Sequence, residues 1–197
     1  MRSPEGCPWD REQTHESIRR NLIEETYEAV EAIDRDDQAH LCEELGDVLL
    51  QVFFHARISE EEGRFSLADV YTGECLKMIE RHPHIFGEVK VNGSEDVLNN
   101  WEAIKREKKG QSTLGETLGS VSRSLPSLMR AEKLAHKARK AGEFRDEDAL
   151  GALDDRELSD RLFALAAEAD RRGLDAEKLL YDRCESFIEQ IKKIDEK

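Results

Sequence analysis

The sequence predicts an all-α protein, an antiparallel helical bundle followed by a partial second helical repeat, and three observations carry that expectation. Charged residues make up 38% of the 197 positions, with Glu, Lys, Arg, Ala and Leu abundant, which is a helical composition. Helix breakers are scarce, at 4 Pro and 12 Gly. Apolar residues recur at the spacing of one helix face in segment after segment. Sheet-rich folds are disfavoured on the same grounds. With 38% apolar and 6% aromatic residues, the chain is long enough for one domain, or one and part of a second, with a modest core and a large wet surface.

The elements follow in order. A Gly6-Cys7-Pro8-Trp9-Asp10 loop precedes a helix in which Ile18, Leu22, Tyr27, Val30 and Ile33 recur until Asp34-Arg35-Asp36-Asp37. A second helix, about 40–62, sets Leu41, Leu45, Val48, Leu49, Val52, Phe53 and Ala56 on its inner stripe, with Gly63 past its end. A third, about 67–82, stops at His82-Pro83-His84 because proline disfavours helical backbone before it. A fourth, about 95–109, has Ser94 as its N-cap, acids early and Lys105 to Lys109 late, which suits the helix dipole. Four helices on short links suit a bundle. Residues 110–117 read as a polar linker, and helices resume at about 125–141, 156–172 and 175–194.

Charge and cysteine usage exclude several function classes. With 30 Lys+Arg against 44 Asp+Glu the net charge is −14, which argues against binding a nucleic-acid backbone. On that overall balance a phosphate ligand would be expected to need metal ions as intermediaries. The acidity is concentrated: residues 1–110 hold 14 basic and 25 acidic side chains, residues 111–197 hold 16 and 19. Between Leu118 and Arg145 the sign reverses, giving a solvated basic face or, alternatively, a phosphate-steering one. Cys7, Cys42, Cys75 and Cys184 form no Cys-x-x-Cys pair and read as reduced, cytoplasmic thiols. The N-terminal residues have no apolar leader core, and the most apolar run, Val48 to Phe54, is too short to span a membrane.

An internal repeat is legible. Glu44-Leu45-Gly46-Asp47 aligns with Glu157-Leu158-Ser159-Asp160 at an offset of 113, and Cys75 with Ile79 aligns with Cys184 and Ile188 at 109. A shorter loop at Gly173 than at Gly63 would absorb the difference.

The chemistry lies in carboxylates. Glu24, Glu25 and Glu28 fall on the first long helix, and Glu43, Glu44 and Asp47 on the second. Residues three or four apart share a helix face, so Glu25 with Glu28, and Glu44 with Asp47, are stacked pairs. The fifteen residues between Glu28 and Glu44 suffice to end one helix and return antiparallel, placing four carboxylates around one point. Such a cluster repels itself unless protons or cations neutralise it. All-oxygen ligation selects a hard divalent ion, Mg²⁺ with Mn²⁺ as a substitute. A di-iron site would need two Glu-x-x-His pairs, and Glu12 with His15 is the single one.

These residues resemble the MazG family of nucleoside triphosphate pyrophosphohydrolases, all-α enzymes marked by Glu-x-x-Glu, a spacer and Glu-x-x-Asp. The similarity covers residues 6–109: the Cys-Pro-Trp loop with Glu12-Gln13-Thr14, Glu24-Glu25-Thr26-Tyr27-Glu28, Glu43-Glu44-Leu45-Gly46-Asp47, Glu61-Glu62-Gly63-Arg64-Phe65, Arg81-His82-Pro83-His84-Ile85-Phe86-Gly87, and Trp101 with Lys105 and Lys108. It continues through Arg123 to Ala131, like the family's inter-repeat segment. The resemblance implies that Glu25, Glu28, Glu44 and Asp47 hold Mg²⁺ and that NTP and water give NMP and pyrophosphate. It also implies a homodimer or higher oligomer. Glu24, Glu25 or Glu28 would serve catalysis, with Glu24 or Glu25 orienting or deprotonating the water. Arg81, Lys105 and Lys108 are candidates for phosphate contact, and Trp9 and Trp101 for base stacking or ordinary packing.

The chain departs from the two-repeat pattern in two places. Only five residues precede Gly6, leaving no room for the short helix expected before the Cys-Pro-Trp loop. In the second repeat Glu157 and Asp160 remain, but only Glu143 and Asp146 could mimic the first pair, and ten residues between Asp146 and Glu157 are too few for a helix and its return. The expected organisation is therefore a pyrophosphohydrolase domain at 1–109, a linker with an inter-repeat helix at 110–155, and a degenerate second repeat at 156–197. Two alternatives remain: a catalytically impaired nucleotide-binding scaffold, and a related dUTPase-like or phosphoribosyl-ATP pyrophosphatase activity.

Overall fold

The computed structural model of the chain describes residues 1–143 and 153–196, and every regular element among them is an α-helix. The described chain divides between Lys90 and Val91 into two compact units.

The first unit holds α1 (Pro8–Glu12), α2 (Arg19–Asp34), α3 (Gln38–Glu61), α4 (Leu67–Arg81) and α5 (Pro83–Phe86). Three residues connect α2 to α3, so the two pack as an antiparallel hairpin. Asp36 turns the chain with φ +53°, and Asp37 caps α3 by accepting the His40 N–H at 3.1 Å, a cap worth about 1 kcal/mol. Small Ala29 and Ala32 are buried on α2, and Ile18, Phe54 and Ile58 form the hydrophobic cluster with Leu50 against it. Arg2 ties down the N-terminal segment, donating to Glu61 at 2.8 Å, to the Gln13 carbonyl at 2.9 Å and to the Asp10 carbonyl.

Several expectations need correction. The Cys-Pro-Trp loop winds into the one-turn helix α1, because Pro8 starts a helix without losing a bond. Pro83 likewise opens α5, where a turn was expected. The apolar stripe expected to face inward on α3 is split: Ala56 is buried and Leu41, Val48 and Val52 are half-buried, but Leu45, Leu49 and Phe53 are 55%, 51% and 44% exposed, while Glu44 and Gln51 are buried. On α2, Tyr27, Val30 and Ile33 are exposed too. The hairpin thus buries its alanines and the cluster around Phe54, while Tyr27, Val30, Ile33, Leu45, Leu49 and Phe53 are uncovered.

Beside the hairpin, His15 and His55 stack with ring centroids 5.0 Å apart and their Nδ1 atoms 2.7 Å apart. One of these nitrogens carries a proton and the other accepts it, so double protonation breaks the pair. His15 Nε2 also lies 3.2 Å from Ser59 Oγ and 3.8 Å from Glu62 Oε2. Burial, and then the charge of His15, pushes the His55 pKa down. A group depressed on folding contributes stability that is present above its unfolded pKa and lost as pH falls through the folded one. Urea unfolding followed by Trp9 fluorescence should therefore lose midpoint between about pH 7 and pH 5, and His55→Gln should flatten that slope. An unchanged slope in the variant would assign the loss to other groups.

The second unit contains α6 (Ser94–Lys108), α7 (Leu114–Gly119), α8 (Ser127–Lys140), α9 (Asp155–Arg171) and α10 (Ala176–Asp195). Gly93, not Ser94, is the N-cap of α6, and no side chain caps that end. The expected linker at 110–117 contains the start of α7, nucleated by a capping box in which Thr113 accepts from the Glu116 N–H and Glu116 accepts from the Thr113 N–H. The core gathers Leu118 and Val121 with Leu134 and Ala138 of α8 and Cys184, Ile188 and Ile191 of α10. Gly115 permits the approach of α7 to α10: a Cβ there would lie 2.6 Å from Lys192 Cγ.

The helix pairs α3–α4 and α9–α10 share one turn. Gly63 and Gly173 have φ +68° and +67°, and the residue after each donates back to the carbonyl five residues before it, Arg64 to Ser59 and Leu174 to Ala169, both at 2.9 Å. This is a Schellman ending, which needs the left-handed residue that glycine supplies. The sequence comparison places the four-residue shortfall in the loop, but most of it lies in the helix before the turn. Asp47 to Glu61 spans three residues more than Asp160 to Arg171, whereas the loops differ by one, 62–66 against 172–175. Losing three residues is nearly one turn, so the Glu-x-x-Asp pair stays within about 60° of its original face.

A candidate carboxylate metal centre

The α2–α3 hairpin sets the site. The short link fixes the register of the two helices, and the carboxylates one turn apart on each then meet across the hairpin. Glu25, Glu28 and Glu44 each offer one carboxylate oxygen, and these oxygens lie within 4.8 Å of one another. Glu44 is 6% exposed. One of its oxygens pairs with His40 Nε2 at 2.9 Å, one turn back on α3, and the other is buried with no hydrogen-bond partner. A buried carboxylate oxygen left without a partner is costly, and a cation is what would satisfy it.

The electrostatics agree. Burial, then the charges of Asp47, Glu28, Glu44 and Glu24, push the Glu25 pKa up. Glu28 is also raised, by burial, by Glu44 and Glu24 and by its hydrogen bond to Glu44, against the opposing pull of His40. Asp47 is half-buried and stands outside the 4.8 Å set, yet its charge acts on Glu25 more than any other carboxylate does. Glu24 and Glu43 are exposed at the rim. The donor set is all oxygen, dense in negative charge and half sheltered, which fits a hard divalent cation.

A consequence concerns the metal-free chain. A carboxyl whose pKa is raised on folding costs stability at neutral pH and returns it as pH falls. Glu28→Gln should therefore raise the thermal midpoint in EDTA near neutral pH and shrink the further rise that Mg²⁺ produces. A lower midpoint in EDTA would show that the cluster is not under repulsion. Both are read by differential scanning fluorimetry.

Two residues near this cluster were not singled out from the sequence. His40 lies four residues before Glu44, a spacing that places both on one face, and that signal was available. Gln51 lies one turn beyond Asp47 and is buried with its amide oxygen unpartnered; a glutamine between apolar neighbours gave the only hint. Of the other sequence candidates, Trp9 is exposed on α1 and Arg81 ends α4 in the first unit, whereas Trp101, Lys105 and Lys108 lie on α6 in the second. In the second repeat Glu157 accepts the Asp154 N–H as the return half of a capping box. Asp146 lies outside the described residues. Among the described residues, Glu25, Glu28 and Glu44 form the one group with this metal-holding geometry.

Comparison with known proteins gives consistent relatives. Residues 13–86 match the MazG nucleotide pyrophosphohydrolase domain, a span that contains the whole α2–α3 hairpin. The nucleoside triphosphate pyrophosphohydrolase/pyrophosphatase MazG of Thermotoga maritima is 38% identical, covering 100% of this chain and 82% of that protein. The nucleoside triphosphate pyrophosphohydrolase of Escherichia coli K12 is 37% identical over 99% of this chain and 83% of its own. The uncharacterized protein YabN of Bacillus subtilis is 53% identical over 68% of this chain, which spans only 27% of that longer protein.

Proposed function

Because this chain belongs to the MazG family of nucleotide pyrophosphohydrolases, we propose that it hydrolyses nucleoside triphosphates, ribo- or deoxyribo-, to the monophosphate and pyrophosphate at the α2–α3 carboxylates. It is a hydrolase, and the reading that follows assigns roles to its own residues. The observation that carries it is the meeting of carboxylate oxygens of Glu25, Glu28 and Glu44 within 4.8 Å of one another, Glu44 being buried with one oxygen unpartnered.

Glu25, Glu28, Glu44 and Asp47 would hold Mg²⁺, with Mn²⁺ as a substitute. When bound, the ion supplies charge neutralisation for the phosphates and lowers the pKa of a water. His40 positions Glu44 by pairing with one of its oxygens, while the other has no hydrogen-bond partner. Glu24 or Glu25 orients the attacking water and takes its proton, and the raised pKa of Glu25 suits it to hold one. Water attacks the α-phosphorus, the bond to the bridging oxygen breaks and pyrophosphate leaves. From the first unit, Arg81 is proposed to contact phosphates and Trp9 to stack on the base; for Lys105, Lys108 and Trp101, on α6 of the second unit, the same roles rest on the sequence resemblance alone. Such an activity clears nucleotides from the cytoplasmic pool. No described helix is long and apolar enough to cross a membrane, and nothing in the acidic composition favours nucleic acid.

The same chain is proposed to assemble as a homodimer or higher oligomer. Ile23, Tyr27 and Val30 on α2 and Leu45, Leu49 and Phe53 on α3 are all exposed, and apolar surface gathered on paired helices is what a subunit contact covers. The domain division proposed from the sequence, 1–109, 110–155 and 156–197, is retained, with the family match lying inside the first part. The impaired-scaffold reading draws its support from Glu157, which is engaged in capping its own helix.

One experiment decides. The purified chain with Mg²⁺ and each nucleotide should release monophosphate and pyrophosphate, identified by ³¹P NMR. Diphosphate with orthophosphate would contradict the scissile bond, binding without turnover would favour the scaffold, and turnover restricted to dUTP or to phosphoribosyl-ATP would favour the related activities.

A further inference from the structure

The second unit contains a cleft of about 230 Å³ between the C-terminal end of α6, the α7–α8 link and α8. Five cations line it, Lys105, Arg106 and Lys109 from α6 and Lys133 and Lys137 from α8, against one carboxylate, Glu102. In a chain of net charge −14, this is a local surplus of four positive charges. Glu102 engages Lys137 at 3.0 Å and stands 3.9 Å from Lys105. Among the described residues, no carboxylate pairs with Arg106, Lys109 or Lys133. Cations at the end of α6 complement its dipole, but Lys133 sits mid-helix on α8, where that explanation does not apply. The α7–α8 link adds Ser122, whose Oγ accepts the Ser124 N–H at 3.2 Å and so keeps its own proton to donate. The local potential is visible on Glu102: burial would raise its pKa, yet Lys137, Lys105 and Lys140 hold it below the ordinary value.

We propose that this cleft is a metal-independent binding site for a short phosphate chain, a diphosphate group held by Arg106, Lys109, Lys133 and the Ser122 hydroxyl. Charge and size select the ligand. A monoanion leaves most of the surplus uncompensated, whereas a diphosphate carries roughly three charges near neutral pH in one compact group, each phosphoryl able to accept charge-assisted hydrogen bonds. The cleft is smaller than the roughly 300–1,000 Å³ of sites that enclose drug-sized ligands, so the base and sugar of a nucleotide would remain outside. Two sources share this chemistry, free pyrophosphate and the phosphate tail of a nucleotide. The inference uses neither the carboxylate centre nor turnover, so it stands or falls separately from the proposed reaction.

The test is isothermal titration of the full chain with inorganic pyrophosphate in EDTA, with orthophosphate and sulfate as controls at the same ionic strength. Pyrophosphate should bind at least tenfold more tightly than either control. Lys133→Glu and Arg106→Glu, both at exposed positions, should each weaken it about tenfold or more without moving the thermal midpoint, while Asp47→Asn should leave it unchanged. Displacement of pyrophosphate by a non-hydrolysable nucleoside triphosphate would identify the tail as able to enter, and no displacement would identify free diphosphate. Equal affinity for sulfate and pyrophosphate, or variants that bind as the parent does, would overturn the proposal.

Discussion

Glu44→Gln should abolish Mg²⁺-dependent hydrolysis while leaving the fold intact. The amide keeps the shape and the apolar contacts of the buried side chain, and its oxygen still accepts from His40, so circular dichroism should not change. What is lost is the negative charge at the centre of the cluster, whose free oxygen is buried with no protein partner. Metal-derived stabilisation of developing phosphate charge is worth several kcal/mol, so turnover should fall roughly 100-fold or more. Asp47→Ala should also lower turnover strongly, because that charge is the main carboxylate acting on Glu25. The split between the two variants is informative. Glu44 is shielded from solvent, so excess Mg²⁺ should not rescue its variant; Asp47, at the half-exposed side, should be partly rescued. The measurement is initial rate against Mg²⁺ concentration, and full activity in Glu44→Gln would move the site elsewhere.

The legibility of this site from sequence has a physical basis. Carboxylates one turn apart share a helix face whatever the tertiary structure, and a fifteen-residue spacer allows only a hairpin to bring the two pairs together. Thus Glu25, Glu28 and Glu44 could be grouped before any coordinates. The same rule groups Asp47 with them, yet it stands outside the 4.8 Å set: sharing a helix face does not fix how far each side chain reaches. The inner face of α3 was misread for a related reason. Periodicity identifies a stripe, not what covers it, and here Leu45, Leu49 and Phe53 are uncovered within the single chain. Glu44 and Gln51 are buried instead, which an apolar periodicity does not foretell. At Thr113 and Glu116 the capping-box pattern was present in the sequence, yet the surrounding small polar residues masked it as a linker.

Arg130→Met should strongly destabilise the second unit. Arg130 is fully buried on α8, pairs with Glu185 of α10 at 2.5 Å and lies over the Tyr181 ring at 5.3 Å. Glu185 also holds Arg123 at 3.2 Å, and it is 29% exposed. Removing one partner of a buried pair costs about 3–5 kcal/mol, and partial solvation of Glu185 reduces this to roughly 2–3 kcal/mol. For a unit of this size that is a fall of roughly 10–20 °C in midpoint. Each unit carries one tryptophan, Trp9 in the first and Trp101 in the second, so Trp9→Phe and Trp101→Phe backgrounds report which unit melts. The transition seen by Trp101 should move and that seen by Trp9 should move less. The double variant Arg130→Met with Glu185→Leu should recover most of the loss, because Arg130 Nε and Nη1 find no hydrogen-bond partner among the described residues, and a pair so incompletely satisfied contributes little over an apolar one. A double variant as unstable as Arg130→Met alone would mean that the guanidinium stabilises α8 and α10 through Tyr181, independently of Glu185.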